Sequence, residues 1–224
     1  MKQLIAELFG TFALVFAGTG AIITNDVSGG MVTHVGISLT FGFIVLAMIY
    51  TVGEVSGAHL NPAVTLGFWA AGRFPGWSVA PYMASQCIGA LMASALLRLL
   101  FPLHSTLGGT NPTGPVIQSF VFELILTWIL MLVILSISTG GKEKGMVAGV
   151  AVGSVIALEA LFAGPISGAS MNPARSLGPA LVSKDLEHLW IYIAAPLTGA
   201  LLAIPTCRCV QENGCCEFGK KEGG

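Results

Sequence analysis

Residues 56–67 carry the pattern that decides the fold, and they read Ser56-Gly57-Ala58-His59-Leu60-Asn61-Pro62-Ala63-Val64-Thr65-Leu66-Gly67. The pattern returns 111 positions later as Ser167-Gly168-Ala169-Ser170-Met171-Asn172-Pro173-Ala174-Arg175-Ser176-Leu177-Gly178, with eight of the twelve residues identical. Two copies in the same order indicate one domain made of two repeats, which we place at about residues 1–101 and 116–206 of a domain spanning 1–206.

Each copy contains Asn-Pro-Ala, a tripeptide suited to the start of a helix. Asparagine is a preferred N-cap, and proline is favoured at the first helical position, where its missing N–H costs nothing. The apolar stretches that follow, 62–71 and 173–182, are 10 residues each. Ten residues make roughly 15 Å of helix, which is half a bilayer. Short apolar segments at matching places in two halves are typical of a site in a membrane transport protein.

The composition is that of a membrane protein. Hydrophobic residues make up 54% of the 224 residues and charged residues only 9%, whereas soluble domains carry about 25% charged residues. Six stretches approach the roughly 20 apolar residues that a spanning helix needs: 4–23, 35–52, 77–97, 116–137, 146–162 and 189–204. We therefore predict an all-α membrane protein with six transmembrane helices and two re-entrant half-helices. Three spans per half is an odd number, so the repeats should be inverted.

Lysine and arginine predict the orientation, because cytoplasmic loops carry an excess of both. The connections 24–34 and 101–115 contain neither. The side of the termini holds most of them: Lys2, Arg73, Lys142, Lys144, Arg208, Lys220 and Lys221. We therefore expect a multi-pass protein of the cell (plasma) membrane, surrounded by lipid, with both termini in the cytoplasm. The first stretch lacks a cleavage site and is interpreted as a retained span. A net charge of −1 without a basic tract predicts no nucleic-acid partner.

A pore is expected where the two half-helices meet at the membrane midplane. Non-helical backbone at that depth is tolerated only beside a water-filled cavity or inside protein. Each helix start carries about half an elementary positive charge, so two facing starts should repel cations and protons. The amides of Asn61 and Asn172 should donate to a passing oxygen. The backbone expected to line the pore belongs to Gly57, Ala58, His59, Gly168 and Ser170.

On these motifs the chain resembles the aquaporin, or major intrinsic protein, family over about residues 3–205. Residues 163–180 look most like the plant nodulin-like intrinsic proteins and their bacterial relatives. The resemblance implies a six-helix bundle with two half-helices, usually a homotetramer with a pore in each subunit. It also implies passage of water and of small uncharged solutes such as glycerol, urea, boric acid or arsenous acid.

The family's narrowest point lies outward of the asparagine pair, and alignment on the motifs assigns four contributors here: Phe41, Ala160, Ala169 and Arg175. A charge at the centre of a span costs at least about 2.5–3.5 kcal/mol, so Arg175 should face a cavity, donate to solute and repel cations. Water-selective relatives have histidine where this chain has Ala160. We therefore expect a wide constriction. The alternative is that the small residues serve helix contact and other side chains refill the space.

Glu7 and Glu123 occupy equivalent positions in the two repeats. The family resemblance implies that each carboxylate accepts N–H bonds from the loop before a half-helix; a proton relay is the competing interpretation. Glu159 either tethers loop backbone or lines the pore.

Residues 207–224 are expected to form a cytoplasmic tail, and this tail contains Cys207, Cys209, Cys215 and Cys216. These cysteines are either thiols without a role or a site for a soft metal or arsenic, since soft ligands select soft metals. We expect no metal site in the membrane domain.

The function predicted from the sequence is therefore a passive channel for small neutral solutes and water, without a cofactor. A strict water channel is the alternative within this class. An ion-coupled secondary transporter also uses inverted repeats and broken helices. A membrane-embedded enzyme would need a nucleophile–base pair or metal ligands on the spans, and the sequence offers neither.

Overall fold

The computed structural model describes residues 1–138, 142–211 and 216. These residues form eight helices and no strand. The helices are α1 (Lys2–Val27), α2 (Thr33–Ser56), α3 (Pro62–Ala70), α4 (Gly76–Leu100), α5 (Val116–Ile137), α6 (Lys142–Ser167), α7 (Pro173–Ser183) and α8 (Leu189–Val210). Six are long and apolar enough to cross a membrane, whereas α3 and α7 have only 9 and 11 residues. The predicted membrane fold, with six spans and two half-helices, is confirmed.

The helices pack in the same way within each half. The first span of each half packs on the third, as α1 on α4 and α5 on α8. Gly89 on α4 lies against the carbonyl of Leu8, and Gly199 on α8 lies against the carbonyl of Leu124, so that a Cβ at either glycine would overlap backbone. Small residues let membrane helices approach closely, and here they do so beside Glu7 and Glu123.

The two halves meet along α2 and α6. A Cβ on Gly42 would lie 2.5 Å from the carbonyl oxygen of Gly153, and a Cβ on Gly153 would lie 2.6 Å from that of Gly42. The two helices therefore touch backbone to backbone. This contact brings Phe41 of α2 and Ala160 of α6 to the same cavity.

Several helices are longer than the apolar stretches that predicted them. α1 covers Lys2–Val27 where the apolar stretch covers 4–23, because polar residues at helix ends continue the helix beyond the hydrocarbon layer. α8 ends at Val210, four residues beyond the expected domain boundary. Cys207 and Cys209 therefore lie on this helix, and Cys207 is fully buried in an apolar cluster.

Candidate functional site: a pore between two capped half-helices

Both half-helices begin where the Asn-Pro-Ala motifs predict. Asn61 and Asn172 have extended backbone and cap α3 and α7. Oδ1 of Asn61 accepts from the N–H of Ala63 at 2.8 Å. Oδ1 of Asn172 accepts from the N–H groups of Ala174 at 3.0 Å and Arg175 at 3.3 Å. These bonds satisfy N–H groups that a helix start otherwise leaves without partners.

The same two side chains also join the repeats. Nδ2 of Asn61 donates to the carbonyl oxygen of Met171 at 2.8 Å. Nδ2 of Asn172 donates to the carbonyl oxygen of Leu60 at 2.9 Å. Each amide group has two N–H bonds to give, and both asparagines line the cavity between the half-helices. One N–H of each side chain therefore fastens the opposite loop, and the second is available to a passing oxygen.

The loops before the half-helices share an unusual backbone. In each loop three residues have left-handed φ angles: Gly57, Ala58 and Leu60 in the first, and Gly168, Ala169 and Met171 in the second. This conformation costs roughly 1–2 kcal/mol for each residue other than glycine. The loops must therefore be held by bonds from outside.

Glu7 supplies those bonds to the first loop. Its Oε1 accepts from the N–H of His59 at 2.9 Å and the hydroxyl of Ser56 at 2.7 Å. Its Oε2 accepts from the N–H of Leu60 and from Nε2 of Gln86, both at 2.7 Å. The side chain is fully buried. Its carboxylate therefore takes the place of water as the hydrogen-bond acceptor for the N–H groups of the strained loop.

Glu123 occupies the equivalent place behind the second loop. Its Oε1 accepts from the N–H of Ser170 at 2.9 Å and the hydroxyl of Ser167 at 2.8 Å. Its Oε2 accepts from the N–H of Met171 at 2.8 Å. Both carboxylates therefore accept hydrogen bonds from the backbone of the loop before a half-helix.

Two tyrosines that were not predicted from the sequence complete the loop supports. The hydroxyl of Tyr82 donates to the carbonyl of Ser56 at 3.0 Å, and that of Tyr192 donates to the carbonyl of Ser167 at 2.7 Å. Each tyrosine precedes a Gly-Ala-Leu triplet by seven residues in the third span of its half. That second repeat was the signal that could have identified the pair.

The four predicted constriction residues all line one cavity, together with the two capping asparagines. Arg175 is only 2% exposed, and its guanidinium carbon lies 5.1 Å from the ring centroid of Phe41. Nη1 donates to the carbonyl oxygen of Gly108 at 3.0 Å. Gly108 belongs to the loop between α4 and α5, and no pattern in that loop indicated its role. The side chains of Ala160 and Ala169 are single methyl groups.

His59 also lies beside the cavity. Its Nδ1 is 3.1 Å from Oγ1 of Thr65. Its ring packs between aromatic rings of Phe68, Phe74 and Tyr82, with centroids 4.7–5.2 Å away. The imidazole is therefore held in place while lining the cavity.

The remaining residues of the expected lining divide into two groups. Gly57, Ala58 and Ser170 line the cavity with His59. Gly168 lies instead against Thr110, where an added Cβ would come within 3.0 Å of the threonine methyl group. The loop from α4 to α5 covers this glycine, which the sequence could not indicate.

The comparison with known proteins agrees with this geometry. Residues 1–205 match the Major intrinsic protein family. The chain belongs to this family. Among its relatives, Aquaporin NIP1-1 of Zea mays is 48% identical over 202 residues, which cover 90% of this chain and 72% of that protein. Nodulin-26 of Glycine max is 45% identical over 202 residues, covering 90% and 74%. The X-ray structure of the aquaglyceroporin from Plasmodium falciparum matches with a TM-score of 0.81 and 26% identity, covering 91% of this chain and 93% of that chain.

These similarities confirm the predicted family and its nodulin-like branch. They also confirm the general function. This aquaporin is a multi-pass membrane channel for water and small neutral solutes, and it is not an enzyme.

Glu159 does not do what either interpretation expected. It is 1% exposed and is not among the residues lining the cavity. Neither carboxylate oxygen has a hydrogen-bond partner among the residues that the structure describes. It therefore neither tethers a loop nor lines this part of the aquaporin pore.

The C-terminal cysteines lie in different surroundings. Cys207 is buried, Cys209 is exposed, and Cys216 packs at the edge of the cluster around Cys207. Cys215 lies outside the described residues. Within 1–138, 142–211 and 216, no group of three His, Cys, Asp or Glu side chains could hold a metal ion. The soft-metal site stays a prediction.

Proposed function

We propose that this aquaporin passes small hydroxylated or amide solutes, such as glycerol, urea, or arsenous or boric acid, together with water, and that it excludes ions and protons. The observation that carries the proposal is the set of side chains around Arg175. One strong donor and one aromatic wall, Phe41, share the cavity with two methyl groups, those of Ala160 and Ala169. Such a constriction suits a neutral solute with both polar and apolar faces.

Arg175 is the group that selects at this constriction. Its Nη1 is bonded to Gly108 and its guanidinium packs on Phe41, so the side chain has a fixed position from which to donate. A solute hydroxyl can accept from the guanidinium while its carbon atoms contact Phe41. A cation would lose hydration and meet a positive charge. The filter therefore favours neutral solutes over ions.

The half-helices supply the barrier to protons. The starts of α3 and α7 meet at Asn61 and Asn172, and each start contributes roughly half an elementary positive charge. A water that accepts from both amides presents its own hydrogens away from this point. Protons therefore meet both an electrostatic barrier and an interrupted chain of hydrogen bonds.

The alternatives make different demands on the site. A strict water channel needs a constriction too narrow for glycerol, whereas positions 160 and 169 carry the smallest chiral side chains. An alternating-access transporter needs its two repeats to move relative to each other. Here the repeats are fastened by the paired bonds of Asn61 and Asn172. These bonds favour one fixed pore.

We also propose a homotetramer in the plasma membrane with cytoplasmic termini. The resemblance to the family supports the tetramer, and the distribution of lysine and arginine supports the orientation. Many large apolar side chains remain exposed on the single chain, including Phe43, Ile117 and Trp190. These side chains are available to contact lipid or neighbouring subunits. Light scattering coupled to size-exclusion chromatography tests the tetramer, and labelling of single cysteines in intact cells tests the orientation.

The solute range is tested by stopped-flow light scattering on proteoliposomes of the full chain, with protein-free liposomes as the control. Water, glycerol, urea and arsenous acid should all enter faster through the protein than through lipid alone. Passage of water alone would show that the proposed solute range is wrong. Arg175→Ala should admit small cations that the wild type excludes. If the variant still excludes these cations, Arg175 does not act in the filter.

A further inference from the structure

The loop between α4 and α5, residues 101–115, connects the filter to the membrane surface. The carbonyl of Gly108 accepts from Nη1 of Arg175 at 3.0 Å. The hydroxyl of Thr110 donates to that of Ser176 at 2.8 Å. The loop therefore contributes a backbone acceptor to the filter arginine and a side-chain bond to the half-helix that carries it.

The turn that presents Gly108 depends on His104. The N–H of Leu107 donates to Nδ1 of His104 at 3.1 Å. Leu107 and Gly108 both have left-handed backbone, with φ angles of 53° and 67°. Such a φ at a leucine costs about 1–2 kcal/mol. Leu107 is also fully buried, beside Ile23 and Leu97. The histidine ring and the apolar contact together hold the turn.

These bonds assign the protonation of His104. A backbone N–H can only donate, so Nδ1 is the acceptor and the proton of the neutral ring is on Nε2. Nε2 lies 3.2 Å from Oδ2 of Asp26, near the end of α1, and donates to it. The imidazole therefore links α1 to the turn that carries Gly108.

We propose that His104 is a positioning residue for the filter arginine and that its protonation reduces solute passage; this inference rests on the filter proposed above. A proton on Nδ1 removes the lone pair that accepts from Leu107, and two N–H groups then face each other. The turn loses its bond, and the carbonyl of Gly108 moves away from Arg175. The guanidinium is then free to enter the cavity beside Phe41. A lower pH favours the protonated ring, so passage falls as the pH falls.

The charged groups around His104 act in opposite directions. Asp26, from α1, attracts the protonated ring, but its side chain is 53% exposed and water screens the attraction. Arg98, from α4, donates Nη1 to the carbonyls of His104 at 2.6 Å and Pro102 at 3.1 Å. Its charge opposes a second positive charge. Residues 26–27 and 100–106 line the hollow here, and their titratable side chains are Asp26 and His104.

The experiment measures glycerol permeability of proteoliposomes with the same pH on both sides, about 7.5 or about 5.5, on either side of the range in which histidine titrates. Equal pH removes any dependence on the orientation of the protein. Wild-type permeability should be about two- to tenfold lower at the acidic pH, the factor expected for the loss of one hydrogen bond.

Two variants of His104 distinguish a role in positioning Arg175 from a general effect on the folding of the protein. Asparagine can accept a backbone N–H in a turn and does not titrate, so His104→Asn should conduct like the wild type near pH 7.5 and show no fall at acidic pH. His104→Ala lacks the acceptor and should conduct poorly at both pH values. His188→Asn is the matched control, because His188 precedes α8 and contacts Glu187 rather than this loop. It should keep the wild-type pH profile.

A His104→Asn protein that keeps the wild-type fall in permeability would overturn the proposal, and so would a wild type with no fall. Normal conduction and pH response in His104→Ala would also overturn it. If His104→Ala does not fold, the His104→Asn profile decides. The solute range is judged separately, from wild-type glycerol permeability near pH 7.5. If only water passes there, that range is wrong, and the same His104 comparison is made on water permeability.

Discussion

Asn61 donates its side-chain amide to the carbonyl oxygen of Met171 at 2.8 Å, across the boundary between the two repeats. Asn172 returns the bond to the carbonyl of Leu60 at 2.9 Å. The oxygen of each side chain caps its own half-helix while the nitrogen fastens the opposite loop. The residues to which we assign the proton barrier therefore also hold the two halves of the pore together.

Replacing Asn61 by aspartate separates these two roles. Asn61→Asp keeps an oxygen for the cap but has no N–H for the carbonyl of Met171, and it adds a negative charge to the midplane. We expect a loss of about 1–3 kcal/mol of stability from the unsatisfied carbonyl and faster proton entry. Thermal unfolding in detergent and a pH-sensitive dye in liposomes measure the two effects.

Asn25→Asp is the matched control for this change. Oδ1 of Asn25 accepts from the N–H of Thr33 at 2.8 Å near the membrane surface, and aspartate preserves that acceptor. The control should unfold and exclude protons as the wild type does. If Asn61→Asp also behaves as the wild type, the bond to Met171 contributes nothing to either property.

The sequence predicts the fold well because the decisive signals are local. Hydropathy identifies the spans, and Asn61 and Asn172 mark the half-helix starts because an N-cap and a following proline act within a few residues. Arg175 is identifiable because a charged residue within a membrane segment is costly and therefore indicates a functional site. Each of these signals can be recognised without knowing what lies across the cavity.

The parts that the sequence did not reveal all depend on distant contacts. Gly108 acts through a carbonyl oxygen, which every residue has, so nothing in its identity indicates that it holds Arg175. Tyr82 and Tyr192 resemble ordinary aromatic residues until their hydroxyls are seen to bond loop carbonyls. Glu159 resembles Glu123 in the sequence, and only the packing distinguishes a carboxyl group with three partners from one without any in the described chain.

Removing the loop-supporting carboxylate should be more harmful than neutralising it. Glu7→Ala leaves the N–H groups of His59 and Leu60 buried without an acceptor, at about 1–3 kcal/mol each. That cost is large beside a typical total stability of about 5–15 kcal/mol. Glu7→Gln retains one acceptor oxygen. The yield of monodisperse protein in size-exclusion chromatography should fall from wild type to Glu7→Gln to Glu7→Ala.

Glu187→Ala is the control for the carboxylate series, because the Glu187 side chain is 82% exposed. Its yield should equal that of the wild type. Equal yields of Glu7→Ala and wild type would mean that the left-handed loop does not need this acceptor.

Enlarging the side chain at position 160 tests the width of the constriction. The imidazole of Ala160→His should occupy space beside Arg175 that glycerol needs. One added group in a tight site changes discrimination by about 10–200-fold, so glycerol permeability should fall by about tenfold or more while water permeability changes little. Stopped-flow measurements on the same vesicles give both values. Ala160→Ser, which adds a single oxygen atom, should remain permeable to both glycerol and water. Equal losses of glycerol and water in Ala160→His would show that Ala160 is not at the narrowest point.

Glu159 offers a test in the opposite direction, because its replacement should stabilise the protein. The residue is 1% exposed, and neither carboxylate oxygen has a hydrogen-bond partner in the part of the chain that the structure describes. A buried polar group without a hydrogen bond costs about 1–3 kcal/mol. Methionine has a similar length and is apolar, so Glu159→Met should recover much of that cost and raise the unfolding temperature in detergent.

The equivalent change at Glu123 is the contrasting control. Glu123→Met removes the acceptor for the N–H groups of Ser170 and Met171 and should lower the unfolding temperature. Glycerol permeability of Glu159→Met should stay at the wild-type value, because Glu159 is not among the residues lining the cavity. A lower unfolding temperature for Glu159→Met would mean that this carboxyl group makes a stabilising bond in the membrane. Glu159 would then act as a third supporting carboxylate beside Glu7 and Glu123.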